Sequence, residues 1–272
     1  MNNLQRAKSD VFAVVGCGWL GLPVAQKLIS GGNVVYGSTS TPQKMDLLRK
    51  ENIRPILLTE NDFYREQEWL KKCKVLLLNI PPSSFKESYA DAMITLVRNL
   101  SSDARVIFIS STSVYGDHNQ IAREDDTPDG TGRNAPYVIE AENSLKRNLK
   151  ERLTIVRMAG LVGKKRHPVK HMSGKNYTGG KVPVNLIHLD DAVGLVLKII
   201  EKEYWDELLN GCASKHPVKS DYYTKQAQKL GIKEPTFSME EESYKLVSNE
   251  RSVKELKYTY IFDDPENFEW EI

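Results

Sequence analysis

The sequence predicts a doubly wound α/β protein: a parallel sheet covered on both faces by helices, followed by a small C-terminal α+β part. Three observations carry this reading. Short apolar runs alternate with segments of helical spacing through about Met158. Those runs are continuous rather than period-two, as in strands buried on both faces. The first run ends in a glycine-rich turn that opens a helix.

Val11–Val15 is the first strand and Leu20–Ser30 the first helix. Asn33–Tyr36 is a second strand, stopped by Gly37-Ser38-Thr39-Ser40-Thr41-Pro42, and a helix then runs through about Lys50. Pro55–Leu58 is a short strand. Lys74–Ile80 is almost wholly aliphatic and is ended by Pro81-Pro82, since proline cannot continue a central ladder. Ser84–Leu100 has helical spacing of Tyr89, Met93, Leu96, Val97 and Leu100. Arg105–Ile109 is a fifth strand, Val138–Lys150 a helix and Leu153–Met158 a further strand. Beyond Gly160 the pattern becomes irregular, with loops over 163–180, a strand near Val184–Ile187 and a helix from about Asp190 to Ile200. The expected division is a nucleotide-binding part over 1–160 and a smaller part over 161–272 that caps the sheet's carboxyl edge and depends on the first.

Composition excludes several classes. The 272 residues carry 38 Lys+Arg against 36 Asp+Glu, a formal charge of +2, and 40% are hydrophobic. Such a balance gives no whole-chain attraction to nucleic acid or anionic membrane, and the chain is too apolar for disorder. No run nears the roughly 18 apolar residues of a membrane helix, and the polar opening Met1–Asp10 lacks a signal peptide's apolar segment. Cys17, Cys73 and Cys212 lie far apart, in no metal-ligand spacing. The expectation is a reduced, cytoplasmic, metal-free protein.

The sharpest motif is Gly16-Cys17-Gly18-Trp19-Leu20-Gly21, a GxGxxG between a strand and a helix. In this context Gly16 permits the tight turn, Gly18 lets the backbone approach a pyrophosphate, and Gly21 lets helix and sheet pack closely. The helix N-terminus offers N–H groups and a positive dipole end to phosphates. An NAD site usually has an acidic residue at the end of the second strand; here Ser38, Thr39 and Ser40 stand there instead. With Lys44 they suit a 2′-phosphate, so NADP is favoured within an NAD(P) assignment. The same hydroxyls would also serve simply to cap the following helix. Ile80, Pro81 and Ser110, at the ends of the fourth and fifth strands, are placed on the cofactor side, where strand ends line the crevice.

Gly16–Gly21, Ser110–Asp117, Arg157–Gly163 and His188-Leu189-Asp190-Asp191, in that order, resemble the motifs of the extended short-chain dehydrogenase/reductase superfamily, which includes nucleotide-sugar epimerase/dehydratases. The glycine spacing departs from the superfamily's usual GxxGxxG and looks like an atypical branch. The resemblance implies a catalytic hydroxyl at Ser111 and a proton-transferring tyrosine at Tyr137, 26 residues later. It also implies a lysine four residues beyond that tyrosine, which would lower its pKa and hold the nicotinamide ribose. That residue is Ala141. Lys146 is nine residues from Tyr137, ~14 Å along a helix, and Arg133 is a further nearby cation. Without the lysine, a rate rising well above neutral pH is expected, or else another base.

His188, Asp190 and Asp191 are expected to act mainly as a helix cap. The basic stretch Gly163–His171 is either a solvated loop or a contact for an anionic substrate. The sequence thus points to an NAD(P)-dependent oxidoreductase or nucleotide-sugar epimerase/dehydratase. The alternative is a non-catalytic NAD(P)-binding sensor or scaffold. The expected partner is a small molecule, of which sugar nucleotides are the class the resemblance suggests, with neither nucleic acid nor membrane; a homodimer is common in the superfamily.

Overall fold

In the computed structural model, which describes residues 9–163 and 166–268, seven strands form one sheet. They are β1 (Val11–Val15), β2 (Val34–Thr39), β3 (Arg54–Leu57), β4 (Val75–Leu78), β5 (Arg105–Ser111), β6 (Leu153–Met158) and β7 (Leu208–Gly211). Their spatial order is β7-β6-β5-β4-β1-β2-β3. β1 pairs in parallel with both β2 and β4, β2 with β3, and β4 with β5. Chain order therefore reverses between β1 and β4, the position at which open α/β sheets bind ligands. The expected doubly wound α/β class is the observed one. The helices are α1 (Gly21–Ser30), α2 (Met45–Lys50), α3 (Tyr89–Val97), α4 (Ala135–Leu149), α5 (Leu189–Lys202), α6 (Lys219–Lys229) and α7 (Glu250–Lys254). Among the described residues, no helix is long and apolar enough to cross a membrane.

Among the elements whose bounds differ from the sequence reading, two do so for identifiable reasons. β2 runs on to Thr39 rather than stopping at Tyr36, because Gly37, Ser38 and Thr39 all pair with β3. Gly37 fits there for lack of a side chain: a Cβ would lie 2.6 Å from the Ile53 side chain and 2.7 Å from the Cys17 sulfur. α3 starts at Tyr89, not near Ser84, because Lys86 has φ 47°, a left-handed value that interrupts a right-handed helix. Two short 3₁₀ turns, Pro82–Ser84 and Lys86–Ser88, fill the gap.

The chain forms two compact units, interleaved in sequence. The first comprises residues up to Ser110, Pro136–Ile155 and Glu203–Glu207. Its core is the apolar filling of the strands, with Val14, Val15, Leu76, Leu78 and Phe108 fully buried beside Val24, Met93 and Leu96 of the helices. The second comprises Ser111–Ala135, Val156–Lys202 and the chain from Leu208. It adds three short parallel strand pairs: Gly160–Val162 with Leu186–His188, Asn176–Tyr177 with Thr236–Phe237, and Gln120–Ala122 with Lys245–Val247.

Buried polar groups tie the second unit together. Arg157 is 1% exposed; its guanidinium donates to the Tyr115 hydroxyl at 2.9 Å and lies 4.8 Å from that ring's centre. Tyr115 in turn donates to the Asn210 side-chain carbonyl at 2.8 Å. Such a chain is tolerated in a core because each desolvated donor meets an acceptor. Asp191, fully buried in the first turn of α5, accepts from the Tyr258 hydroxyl at 3.0 Å and from the backbone N–H groups of Ile261 and Phe262, both at 2.8 Å. His188, also buried, accepts the Asp190 N–H through Nδ1 at 3.3 Å. Asp191→Ala would take the acceptor from the buried Tyr258 hydroxyl and from two partly buried N–H groups, and should cost about 2 kcal/mol of stability. Equilibrium urea unfolding checks this, and a loss below about 0.5 kcal/mol would show that the carboxylate does not anchor the 258–262 segment.

Candidate functional site

The strand register aligns the residues that follow the carboxyl ends in the first unit. Val14 sits opposite Gly37 of β2, Val15 opposite Leu78 of β4, and Leu78 opposite Phe108 of β5. Gly16, Asn79 and Ser110 therefore emerge along one edge of the sheet. The turn at Gly16 is held from both flanks. Its N–H donates to the Ser38 hydroxyl oxygen at 2.9 Å, the Cys17 N–H donates to the Ser38 carbonyl at 2.9 Å, and the Asn79 amide donates to the Gly16 carbonyl at 3.1 Å. Gly16 has φ 99°, and a Cβ there would come within 2.3 Å of the Asn79 carbonyl oxygen. A Cβ on Gly21 would meet the Gly16 carbonyl at 2.1 Å.

Gly18 is different. It is exposed, and a Cβ there would have nothing within 4 Å. The helix beyond it begins at Gly21, after Leu20, with no side-chain cap and with no acidic residue in its first turn. Open space before an uncapped helix N-terminus, free of carboxylates, suits a pyrophosphate. The turn fits the cofactor that its glycine spacing implies.

The other predicted residues fall into two groups. Leu20 and Cys17 are buried, and Trp19 is half-buried. Burial pushes the Cys17 thiol up to about 12, so it stays protonated and unreactive. Ser38 and Thr39 are buried; Ser38 is engaged with Gly16, and the Thr39 hydroxyl oxygen accepts from the Thr41 N–H at 3.1 Å. Ser40 and Lys44 are exposed. Ile80 is half-buried, its carbonyl accepting the Tyr89 hydroxyl at 2.7 Å, and Pro81 beside it is exposed.

Ser110, 6% exposed, donates its hydroxyl to the Glu142 carboxylate at 2.5 Å, and Glu142 is itself 1% exposed. Tyr137 is half-buried and donates to Glu87 at 3.0 Å. Ala141 is completely buried, so an apolar, covered side chain stands at the position where the resemblance expects a lysine. Ser111 lies in the second unit, where its hydroxyl oxygen accepts the Ser113 N–H at 3.1 Å.

Sequence reasoning missed Asn79, Glu87 and Glu142. Asn79 carried a signal, as the one polar residue inside the aliphatic run 75–80. So did Glu142, which shares the apolar stripe of α4 with Val138, Leu145 and Leu149. Glu87 carried none. Of the basic stretch, Lys164 and Lys165 lie outside the described residues, while Arg166, Lys170 and His171 are exposed. His167 does not belong to it electrically. Burial, reinforced by the nearby Lys170, pushes its pKa down to about 4, and its Nδ1 accepts the Val169 N–H at 3.2 Å. Among the described residues, no group of three or more His, Cys, Asp or Glu is placed to hold a metal ion.

Comparison with known proteins bears on this geometry. The family profile of the NAD binding domain of 6-phosphogluconate dehydrogenase matches residues 11–128. Over nearly its whole length the fold is similar to that of a functionally unknown conserved protein from Silicibacter pomeroyi, with TM-score 0.77 and 17% identity over 95% of this chain and 96% of that one. UDP-glucuronic acid 4-epimerase from Bacillus cereus, solved in complex with NAD, gives TM-score 0.76 and 16% identity over 95% of both chains. Fold and glycine turn together define an α/β protein with an NAD-binding Rossmann domain. Within that class the chain belongs to the family of Protein YeeZ of Escherichia coli K12, to which it is 32% identical over 268 residues, 93% of this chain and 96% of the relative.

The turn predicts its own dissection. Gly18→Asp puts a charge into open space, so it should keep thermal stability and lose NAD(P)H binding by at least about a hundredfold. Gly16→Ala, with no room for its methyl group, should lower stability as well. Calorimetric binding by Gly18→Asp at unchanged affinity would move the cofactor site elsewhere.

Proposed function

We propose that the protein is an NAD(P)-dependent oxidoreductase or epimerase/dehydratase acting on a carbinol or carbonyl of a small substrate, with sugar nucleotides the first class to test. One observation carries this reading: Gly18 faces open space at an uncapped helix start, between two glycines that admit no side chain. The backbone of Gly16–Gly21 would hold the pyrophosphate. With Ser38 and Thr39 engaged internally, Ser40 and Lys44 are left to meet a 2′-phosphate. Ile80 and Pro81 would border the cofactor, and Ser110 would act on it only through the strand end it holds with Glu142. When bound, the nicotinamide supplies a hydride acceptor or donor. Ser111 keeps its hydroxyl proton free to donate while its oxygen accepts from Ser113, so it would orient the substrate oxygen. Tyr137 would carry the proton.

A second reading, a non-catalytic NAD(P)-binding protein, draws on Ala141. A buried alanine replaces the cation that would favour a phenolate at Tyr137.

On the proposed reading NADPH binds at least as tightly as NADH, and Lys44→Glu weakens NADPH about tenfold while sparing NADH. Equal affinity changes for both cofactors would remove Lys44 from the site. Tyr137→Phe should lower NAD(P)-dependent turnover of a UDP-sugar by at least about a hundredfold; full activity in that variant would end the proposed role of Tyr137. Ala141→Lys is expected to reduce stability, since an ammonium would be desolvated at a completely buried position. A melting temperature at or above that of the parent would show that the side chain reaches solvent.

A further inference from the structure

Tyr137 has an acidic partner. The 3.0 Å bond runs from its hydroxyl to the Glu87 carboxylate, on a segment 50 residues earlier. That segment is braced at both ends. The Tyr89 hydroxyl holds the Ile80 carbonyl at 2.7 Å, and the buried Phe85 packs edge-on against Phe63, with ring centres 4.6 Å apart. Between these anchors Lys86 adopts φ 47°. A left-handed lysine is disfavoured and persists where its surroundings impose it, which is common at working sites. Its consequence here is to break the helix early and turn Glu87 out as an exposed residue facing α4. The same phenol has no lysine four residues on, where Ala141 is buried.

We propose that Glu87 is the proton acceptor behind Tyr137, taking the place that the lysine's influence has in the wider superfamily. The inference rests on the oxidoreductase reading given above. As the substrate hydroxyl passes its proton to the Tyr137 oxygen, Tyr137 passes its own to the Glu87 carboxylate. One proton leaves the substrate, one arrives on Glu87, and Tyr137 ends as it began. The hydride of the same carbinol goes to the oxidised nicotinamide, which is the oxidant. No phenolate has to exist beforehand, so the population penalty of an unassisted tyrosine does not arise. Glu87 is a positioning residue in this scheme, acting on substrate only through Tyr137.

Two measurements on the full-length protein test it. The first needs no turnover. The backbone N–H of Glu87 and the Tyr137 hydroxyl hold its carboxyl below the ordinary range. A carbon-detected NMR titration, with the Glu87 signal assigned from Glu87→Gln, should therefore show its midpoint move up in Tyr137→Phe. An unmoved midpoint overturns the pair. The second is the pH dependence of kcat with NAD+ or NADP+ and UDP-glucose or UDP-glucuronic acid. The parent should be flat between about pH 6 and pH 9, since the carboxylate is ionised throughout. Glu87→Gln should lose about a hundredfold in kcat at neutral pH with KM retained, and its rate should climb with pH as the phenolate forms unaided. Glu87→Asp should recover part of the loss. If Glu87→Gln keeps the parent's rate and flat profile while Tyr137→Phe is inactive, the relay is wrong and the oxidoreductase reading stands. Absence of turnover by the parent overturns that reading and the relay with it.

Discussion

The first unit depends on one close approach, that of the Gly16 backbone to the carboxyl ends of its two neighbouring strands. Ser38 grips the turn from β2 and Asn79 from β4, with bonds of 2.9 and 3.1 Å. No side chain fits between, since a Cβ on Gly16 would meet Asn79 at 2.3 Å. Because both neighbours hold the turn, the start of α1 cannot drift relative to the sheet edge. A helix N-terminus positioned so tightly presents its N–H groups to a fixed point in space. The open volume at Gly18 is the counterpart of this crowding.

The same compactness explains why hydroxyls that suit a phosphate by residue type are spent on structure. Ser38 serves the turn, and Thr39 bonds the Thr41 backbone. Residue chemistry identified the region correctly as polar and hydroxyl-rich, but only burial separates the hydroxyls that face inward from Ser40 and Lys44, which face solvent. The second unit shows the same economy. Asp191 resembles a helix-start aspartate, yet its carboxylate is consumed by Tyr258, Ile261 and Phe262. A buried carboxylate with three donors is an anchor, and removing it takes the acceptor from all three at once.

What was legible in the sequence was local. Val11–Val15 and the glycines after it form one unbroken stretch, so strand, turn and helix could be read together. The end of β2 was not legible, because its continuation through Gly37 depends on Ile53 and Cys17, whose side chains fill the space a Cβ would need. The start of α3 was hidden by the left-handed Lys86, whose conformation leaves no mark in the periodicity of the apolar residues. The identity of residue 141 was plain; its complete burial was not, since that depends on how α4 packs. Glu87 could not be found at all from spacing, because the chain brings it to Tyr137 across 50 residues and a loop.

Around two of the first unit's hydroxyls the partners are acidic. Ser110 donates to Glu142 and Tyr137 donates to Glu87, so both end on a carboxylate. A lysine beside a tyrosine favours its phenolate, whereas a carboxylate opposes negative charge on the phenol oxygen and offers somewhere for the proton to go. A cation placed at position 141 would have to be desolvated, since Ala141 is completely buried, and the Tyr137 hydroxyl already donates to a carboxylate. Any proton chemistry at Tyr137 has to work with its carboxylate partner.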